Sequence, residues 1–231
     1  MPFFFFAFLA FCCFLSVRFS LPAIHRKGAD KEKSSTWSQI LYFMKIPRVR
    51  IMTFMQFLCN FGITGIGPIL PLYSKQMMGS STELVATVVG FIIFISGGCS
   101  AVMSLNVGRL TEYIRPHRIL VGATFFVGFT FLMQYLMTTV TGLGVWRGIT
   151  GLGMGLIAPC TNTLIAKSVP PEKRAIVFGV VSSVFLMGNV AGPVCSGALA
   201  RWLGYPSVFW STALAFLLAG AVIAWNFRKE W

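Results

Sequence analysis

Seven long apolar stretches divide this chain of 231 residues, and most of its basic residues lie in the short segments between them. Each of the last six has about the 20 residues that a helix needs to cross a hydrocarbon layer of about 30 Å. Because the bilayer core offers no water to the backbone, such stretches adopt helices. The predicted crossings are Pro2–Ser20, Ile51–Tyr73, Glu83–Asn106, Ile119–Met137, Thr141–Ala166, Ala175–Leu199 and Pro206–Phe227. The sequence therefore predicts an all-α, polytopic membrane helix bundle.

The distribution of charge gives the predicted orientation. Only 11% of the residues are charged, against about a quarter in soluble domains. Threading the stretches as alternating crossings places 16 of the 19 Lys and Arg residues on one side, Lys75 and Arg201 on the other, and Arg147 inside a crossing. This positive-inside bias predicts an outside N-terminus and a cytoplasmic C-terminus. It also explains the net charge of +13 without a nucleic-acid partner.

The cysteines and the start of the chain indicate no further chemistry. All six cysteines fall within apolar stretches, and none has the paired spacing of a metal site or a disulfide framework. We therefore expect no metal and no cofactor. In the first stretch the apolar residues precede the positive charges, which is the reverse of a secretory signal. We expect a helix whose earlier part, or whose preceding protein, is missing.

Several polar side chains lie within the predicted crossings. In the second crossing four of them, Thr53, Gln56, Asn60 and Thr64, are spaced to share one helical face. Such a stripe can line an aqueous cavity or bond a neighbouring helix, and both alternatives stay open. Candidate cavity or coupling residues are Gln56, Asn60 and Thr64 in the second crossing, Arg147 and Asn162 in the fifth, and Asn189 in the sixth.

Arg147 is the one charge inside an otherwise apolar run. A charge at membrane depth costs at least about 2.5–3.5 kcal/mol on insertion scales. Arg147 can attract an anionic group or couple to a protonation event, or it can be an interfacial arginine that reaches outward. All six Asp and Glu residues fall in loops or at helix ends, so the chain supplies no carboxylate at membrane depth for proton coupling.

A short internal repeat relates the second and fifth crossings. Residues 62–67 read GITGIG and residues 148–153 read GITGLG, at an offset of 86 residues. The two copies are three helices apart, and three-helix repeats of opposite orientation are a feature of secondary transporters. The echo therefore favours two repeats, each of three crossings.

Three glycine-containing motifs resemble those of the major facilitator superfamily. The sixth crossing is similar to the superfamily's antiporter motif, with Ser196 in place of one glycine of the final pair; glycines at these intervals allow close helix packing, and a proline kinks the helix. The turn after the third crossing resembles the superfamily's loop signature, although positive-inside anchoring alone also explains its basic residues. Arg147 with Gly148, Gly151 and Gly153 resembles the arginine-glycine helix of drug:proton antiporters. The residues concerned are Gly179, Gly188, Gly192, Pro193 and Gly197 in the sixth crossing, and Gly108, Glu112, Arg115 and Arg118 in the turn.

The resemblance implies the C-terminal six-helix half of a major facilitator transporter of the multidrug-efflux branch, with one preceding helix. It implies a transmembrane helix at residues 1–22, a cytoplasmic central loop at 23–50 and the six-helix domain at 51–231. No enzymatic activity is expected. The implied function is transport of a small organic solute or drug by alternating access, in a bacterial inner membrane. The expected partners are the small-molecule substrate, the lipid bilayer, protons as a candidate coupling ion, and an N-terminal half or a second copy. A non-transporting fragment or interaction module is the alternative.

Overall fold

The computed structural model describes residues 46–79 and 82–228, together with the isolated positions Phe4, Phe11 and Leu15, which are helical. The chain divides into two compact units, Met1–Ser35 and Thr36–Trp231. The second unit contains six long helices, and the described residues include no strand. These helices are α1 (Pro47–Met78), α2 (Thr82–Tyr113), α3 (Pro116–Leu136), α4 (Val140–Ser168), α5 (Arg174–Leu203) and α6 (Pro206–Asn226), with a short 3-10 turn at Pro171–Lys173 before α5.

The helix ends follow from local chemistry. Prolines open α1, α3 and α6, because the first turn needs no amide donor and proline already has a helical φ. Gly79 closes α1 with a φ of 58° and donates its amide to the Lys75 carbonyl, a left-handed position that glycine adopts without strain. The Thr139 hydroxyl accepts the Gly142 amide at the start of α4. Short turns therefore separate the crossings.

Contacts at the two ends of the bundle show the alternating direction of the helices. At one end the His117 ring stacks on Phe227, with centroids 5.7 Å apart, and the Arg48 guanidinium lies 5.8 Å from the centre of the same Phe227 ring. At the other end Tyr73 donates to the Met137 carbonyl. The first contacts join the starts of α1 and α3 to the end of α6, so most described arginines and lysines gather at that end.

The pairing of helices agrees with two repeats of three. The most extensive contacts are α1 with α5 and α2 with α4, while α3 packs on α4 and α6. If α1, α2 and α3 are equivalent to α4, α5 and α6, the contact of α1 with α5 becomes the contact of α4 with α2. The echoed glycines make equivalent approaches: Gly65 lies against Gly192 and Ser196 of α5, and Gly151 lies against the backbone of Ser96 in α2. The internal echo therefore marks equivalent close contacts between a helix of one repeat and a helix of the other.

Burial divides the helices into two groups. In the most apolar 18-residue windows, 17% of the residues of α2 and 22% of those of α5 are buried, against 44–56% in the other four helices. The core is built mainly from α1, α3, α4 and α6 and includes the fully buried side chains of Phe131, Phe209 and Phe216. The helices α2 and α5 therefore present long apolar faces that the described helices do not cover.

The observed helices extend beyond most of the predicted crossings. Helix α1 starts at Pro47 rather than Ile51, so residues 47–50 of the predicted loop are helical; the reason is that Pro47 occupies the first turn. Helix α2 ends at Tyr113, seven residues beyond the predicted Asn106. The predicted helix at residues 1–22 and loop residues 23–45 lie outside the described residues, apart from the three isolated positions.

Candidate functional site

The polar stripe of α1 bonds two neighbouring helices. Gln56 and Asn60 are each 5% exposed. The Gln56 Nε2 atom donates to the Asn162 Oδ1 atom of α4 at 2.9 Å, and the Asn60 Nδ2 atom donates to the Phe185 carbonyl of α5 at 2.6 Å. The buried amides therefore bond neighbouring helices, which is one of the two alternatives for the stripe. The other alternative, a cavity lining, stays open because Gln56 holds the more exposed amide of Asn162.

Thr64 continues the stripe at the closest approach of α1 and α5. Its hydroxyl lies 2.7 Å from the Asn60 carbonyl and 3.0 Å from the Gly188 carbonyl. A Cβ atom on Gly188 would lie 2.9 Å from the Phe61 nitrogen, and one on Gly192 would lie 2.6 Å from the Thr64 oxygen. These two glycines of the α5 motif therefore allow the contact between α1 and α5.

The other two glycines of the α5 motif have open space around them. A Cβ atom on Gly179 or Gly197 would meet nothing within 4 Å among the described residues. Pro193 lies within α5, and its lack of an amide frees the carbonyl of Asn189, four residues earlier. The motif thus combines a closely packed face with an exposed one.

Asn162 and Asn189 are the exposed members of the candidate set. Asn162 lies in the last two turns of α4, three residues beyond Pro159, and accepts the bond from Gln56. Asn189 lies near the middle of α5, directly after the packed Gly188. The structure therefore links Gln56 with Asn162 between α1 and α4. It places Asn189 on the exposed side of α5, next to the contact of Gly188 with α1.

Arg147 lies two turns into α4 and is half-buried. Its guanidinium lies 5.7 Å from the centre of the Phe131 ring on α3, close enough for a cation–π interaction. The two carboxylates whose side chains are described, Glu112 and Glu172, lie at the opposite end of the bundle. The structure thus places Arg147 against α3 and separates it from the amides of the α1 stripe.

A second polar cluster, which the sequence analysis did not select, lies between α3 and α4. Gln134 and Thr130 are fully buried and Thr150 is 2% exposed. The Gln134 Nε2 atom donates to the Thr150 hydroxyl at 2.7 Å, and the Thr150 hydroxyl donates to that of Thr130 at 3.0 Å. The four-residue spacing of Thr130 and Gln134 is the sequence signal for this cluster, and Arg147 lies one turn from Thr150.

The turn between α2 and α3 stands at the basic end of the bundle. Gly108 has open space at its Cβ position, and Glu112 is exposed. Arg115 is the N-cap residue of α3, and its side chain makes no capping hydrogen bond there. The roles of Gly108, Glu112, Arg115 and Arg118 stay predictions.

Comparison with known sequences gives a consistent family. The Major Facilitator Superfamily profile matches residues 52–230. The chain is 33% identical over 186 residues to the multi-drug resistance efflux pump PmrA of Streptococcus pneumoniae, covering 80% of this chain and 46% of PmrA. It is 27% identical over 198 residues to the multidrug resistance protein MdtG of Escherichia coli, covering 85% of this chain and 48% of MdtG. The chain thus spans about half the length of these relatives.

Solved structures share the fold. A crystal structure of the peptide transporter POT in complex with sulfate superposes with a TM-score of 0.68 at 17% identity, covering 78% of this chain and 38% of that one. The POT family transporter PepTSo gives a TM-score of 0.66 at 14% identity, covering 80% and 38%. At these identities the likeness concerns the fold alone.

Proposed function

Because this chain belongs to the Major Facilitator Superfamily, we propose that it forms one six-helix half of a carrier that moves a small organic solute across the membrane. Six helices in the described part of the chain are long and apolar enough to cross a bilayer. Two relatives that match most of the chain are named a multi-drug resistance efflux pump and a multidrug resistance protein, which favours a drug-like solute. The single observation that carries the proposal is the family match across all six described helices.

The transport unit contains a second six-helix half. The relatives are about twice as long as the matched region, and α2 and α5 are the least buried helices of the described bundle. Apolar faces of that size mark interaction surfaces in proteins. We place the second half, or a second copy of the chain, against α2 and α5, where the two halves rock about a central site.

Asn162 and Asn189 are the proposed solute contacts. Both are exposed and can donate or accept a hydrogen bond. Gln56 orients Asn162 through its 2.9 Å bond, while Asn60 and Thr64 fix α5 through bonds to backbone carbonyls. Under this proposal Gly188, Gly192 and Pro193 set the position of α5 against α1, and so shape the surface that α5 presents to the second half.

The basic end of the bundle faces the cytoplasm in this proposal, with the N-terminus outside and the C-terminus inside a plasma membrane. Arg48, Arg109, Arg115 and Arg228 all lie at that end. In the described part of the chain the carboxylates Glu112 and Glu172 lie at the helix ends. A coupling carboxylate at membrane depth is therefore assigned to the second half.

A dye-accumulation assay tests the proposal. Cells that lack their own efflux pumps express the chain alone, a six-helix partner half from the same family alone, or both together. We expect accumulation of an apolar fluorescent dye to change only when both halves are present. Unchanged accumulation in every combination, with both halves present in the membrane, would contradict transport and favour an interaction module.

Two asparagine variants make the test specific to the proposed site. Asn162→Ala and Asn189→Ala remove an exposed amide and should each reduce transport several-fold. The matched control is Asn226→Ala, because Asn226 is an exposed asparagine near the end of α6 that bonds its own helix at the Val222 carbonyl. Equal effects of all three substitutions would show that the loss is unrelated to the site. Activity of the chain alone would show that two copies supply the two halves.

A further inference from the structure

An apolar groove separates α1 and α6 near the basic end of the bundle. Its volume is about 610 Å³, within the range of roughly 300–1,000 Å³ for ligand pockets. Met55 and Ile223 form its floor and are 0% and 1% exposed, whereas Phe54, Leu218 and Val222 form its walls and are more than half exposed. The groove is therefore a slot on the surface of the bundle with a packed base.

Contacts between α1 and α6 limit the length of the groove. At one end α6 touches α1, since a Cβ atom on Gly62 would lie 3.1 Å from the Phe216 ring. At the other end the Arg48 guanidinium lies 5.8 Å from the Phe227 ring centre. The 14-residue separation of Gly62 and Arg48 corresponds to about 21 Å at 1.5 Å per residue. The lining residues of α1 lie between positions 50 and 58 and span about 12 Å of that length, which fits within one leaflet of a hydrocarbon core about 30 Å thick.

The charged residues lie at the same end as the mouth of the groove. Arg50 lines the groove and is exposed. Arg48 stands two residues earlier on α1, and Arg228 follows α6. The described residues that line the groove include no acidic side chain. An apolar slot no longer than one leaflet, with an arginine at its basic end, matches one molecule that has an acyl chain and an anionic head.

The related contact on the other side of the bundle is closed. In the three-helix repeat α4 corresponds to α1 and α3 corresponds to α6, so the contact between α3 and α4 is the equivalent of that between α1 and α6. There a Cβ atom on Gly153 would lie 2.6 Å from Val127 and 2.9 Å from Phe126, so no side chain separates the helices. The echoed Gly67 of α1 has nothing within 4 Å among the described residues. Among the described residues, the close approach at Gly153 therefore has no counterpart at Gly67, which lies just beyond the Gly62 end of the groove.

We propose that the groove between α1 and α6 binds one anionic phospholipid, with an acyl chain along Met55 and Ile223 and the phosphate at Arg50. The arginine distinguishes this lipid from the uncharged lipids that surround any membrane helix. Polar headgroups at this end of the bundle occupy the leaflet that the basic residues face, where juxtamembrane Lys and Arg attract anionic lipid.

Native mass spectrometry of the full chain in detergent tests the proposal, with phosphatidylglycerol or phosphatidylcholine added at equal concentration. We expect one retained phosphatidylglycerol and far less phosphatidylcholine. Arg50→Gln should weaken retention about fivefold, given about 1 kcal/mol per basic residue near an anionic surface. Ala215→Phe fills the groove from α6 and should abolish retention. Arg109→Gln and Leu214→Phe are the matched controls, because neither residue lines the groove, and both should retain lipid.

Four outcomes would overturn the proposal. Equal retention of both lipids, or equal retention by the Arg50→Gln variant and the unchanged chain, would mean that the bound lipid is not selected by charge. Displacement of phosphatidylglycerol by millimolar inorganic phosphate would indicate an anion site without the acyl chain. Cross-linking of a photoreactive residue at position 218 to residues 1–22 would show that the chain itself fills the groove.

Discussion

Substituting Gly192 with alanine tests the contact between α1 and α5 most directly. The added Cβ atom would lie 2.7 Å from the Phe61 carbonyl oxygen, 2.9 Å from the Gly65 nitrogen and 2.6 Å from the Thr64 hydroxyl. Two of these three are backbone atoms, which cannot turn away as a side chain can. Because ordinary Cβ contacts are 3.4–4 Å, α5 must move away from α1 by about 1 Å.

That movement sets the magnitude of the effect. Overpacking of a close contact costs about 1–3 kcal/mol. The separation also stretches the 3.0 Å bond between Thr64 and Gly188, and such bonds between membrane helices contribute about 0.6 kcal/mol on average. Alanine itself favours the helix over glycine by about 0.5–1 kcal/mol. We therefore expect Gly192→Ala to lower the free energy of unfolding by about 1–3 kcal/mol.

Titration of the folded full chain with sodium dodecyl sulfate, followed by tryptophan fluorescence, measures this difference. The matched control is Gly197→Ala, five residues further along α5, where a Cβ atom meets open space among the described residues. The control should be neutral or slightly more stable. An unfolding midpoint for Gly192→Ala at or above that of the unchanged chain would refute the reasoning. Equal decreases in the free energy of unfolding for both variants would show that the effect does not come from the contact between α5 and α1.

Three further substitutions test other contacts. Thr150→Val removes the buried partner of Gln134 and should lower the free energy of unfolding by about 0.6–1.7 kcal/mol. Adding Gln134→Leu removes the amide that is left without this partner and should recover part of that loss. A double-mutant cycle measured by detergent titration gives both values. Gln56→Leu removes the bond that orients the exposed Asn162, so the apparent affinity for a transported dye should fall several-fold with little change in stability. Tyr73→Phe removes the bond to the Met137 carbonyl and should cost about 0.6 kcal/mol in the same titration; a loss above 2 kcal/mol would mean that its ring contacts with α6 are altered as well.

Sequence reasoning located the crossings and part of the candidate site. Gln56 and Asn60 were recognisable because polar amides are rare in apolar helices. Their partners were not: the bond from Gln56 to Asn162 spans 106 residues, and that from Asn60 to Phe185 spans 125. The cluster around Gln134 went unselected, since one amide among scattered hydroxyls does not identify the helix that it faces.

The amino-acid sequence alone determined that this chain consists of membrane-crossing helices, how they alternate, and which of their ends carry the positive charge. Those features depend on the length of apolar runs and on the placement of Lys and Arg, which are local. Only the tertiary structure decided that α1 packs on α5, that Gly188 and Gly192 face α1 while Gly179 and Gly197 face open space, and that α1 and α6 leave a groove. The physical reason is that lipid is as apolar as a helix interior, so hydrophobicity does not mark the buried face, and close packing and interhelical hydrogen bonds select it.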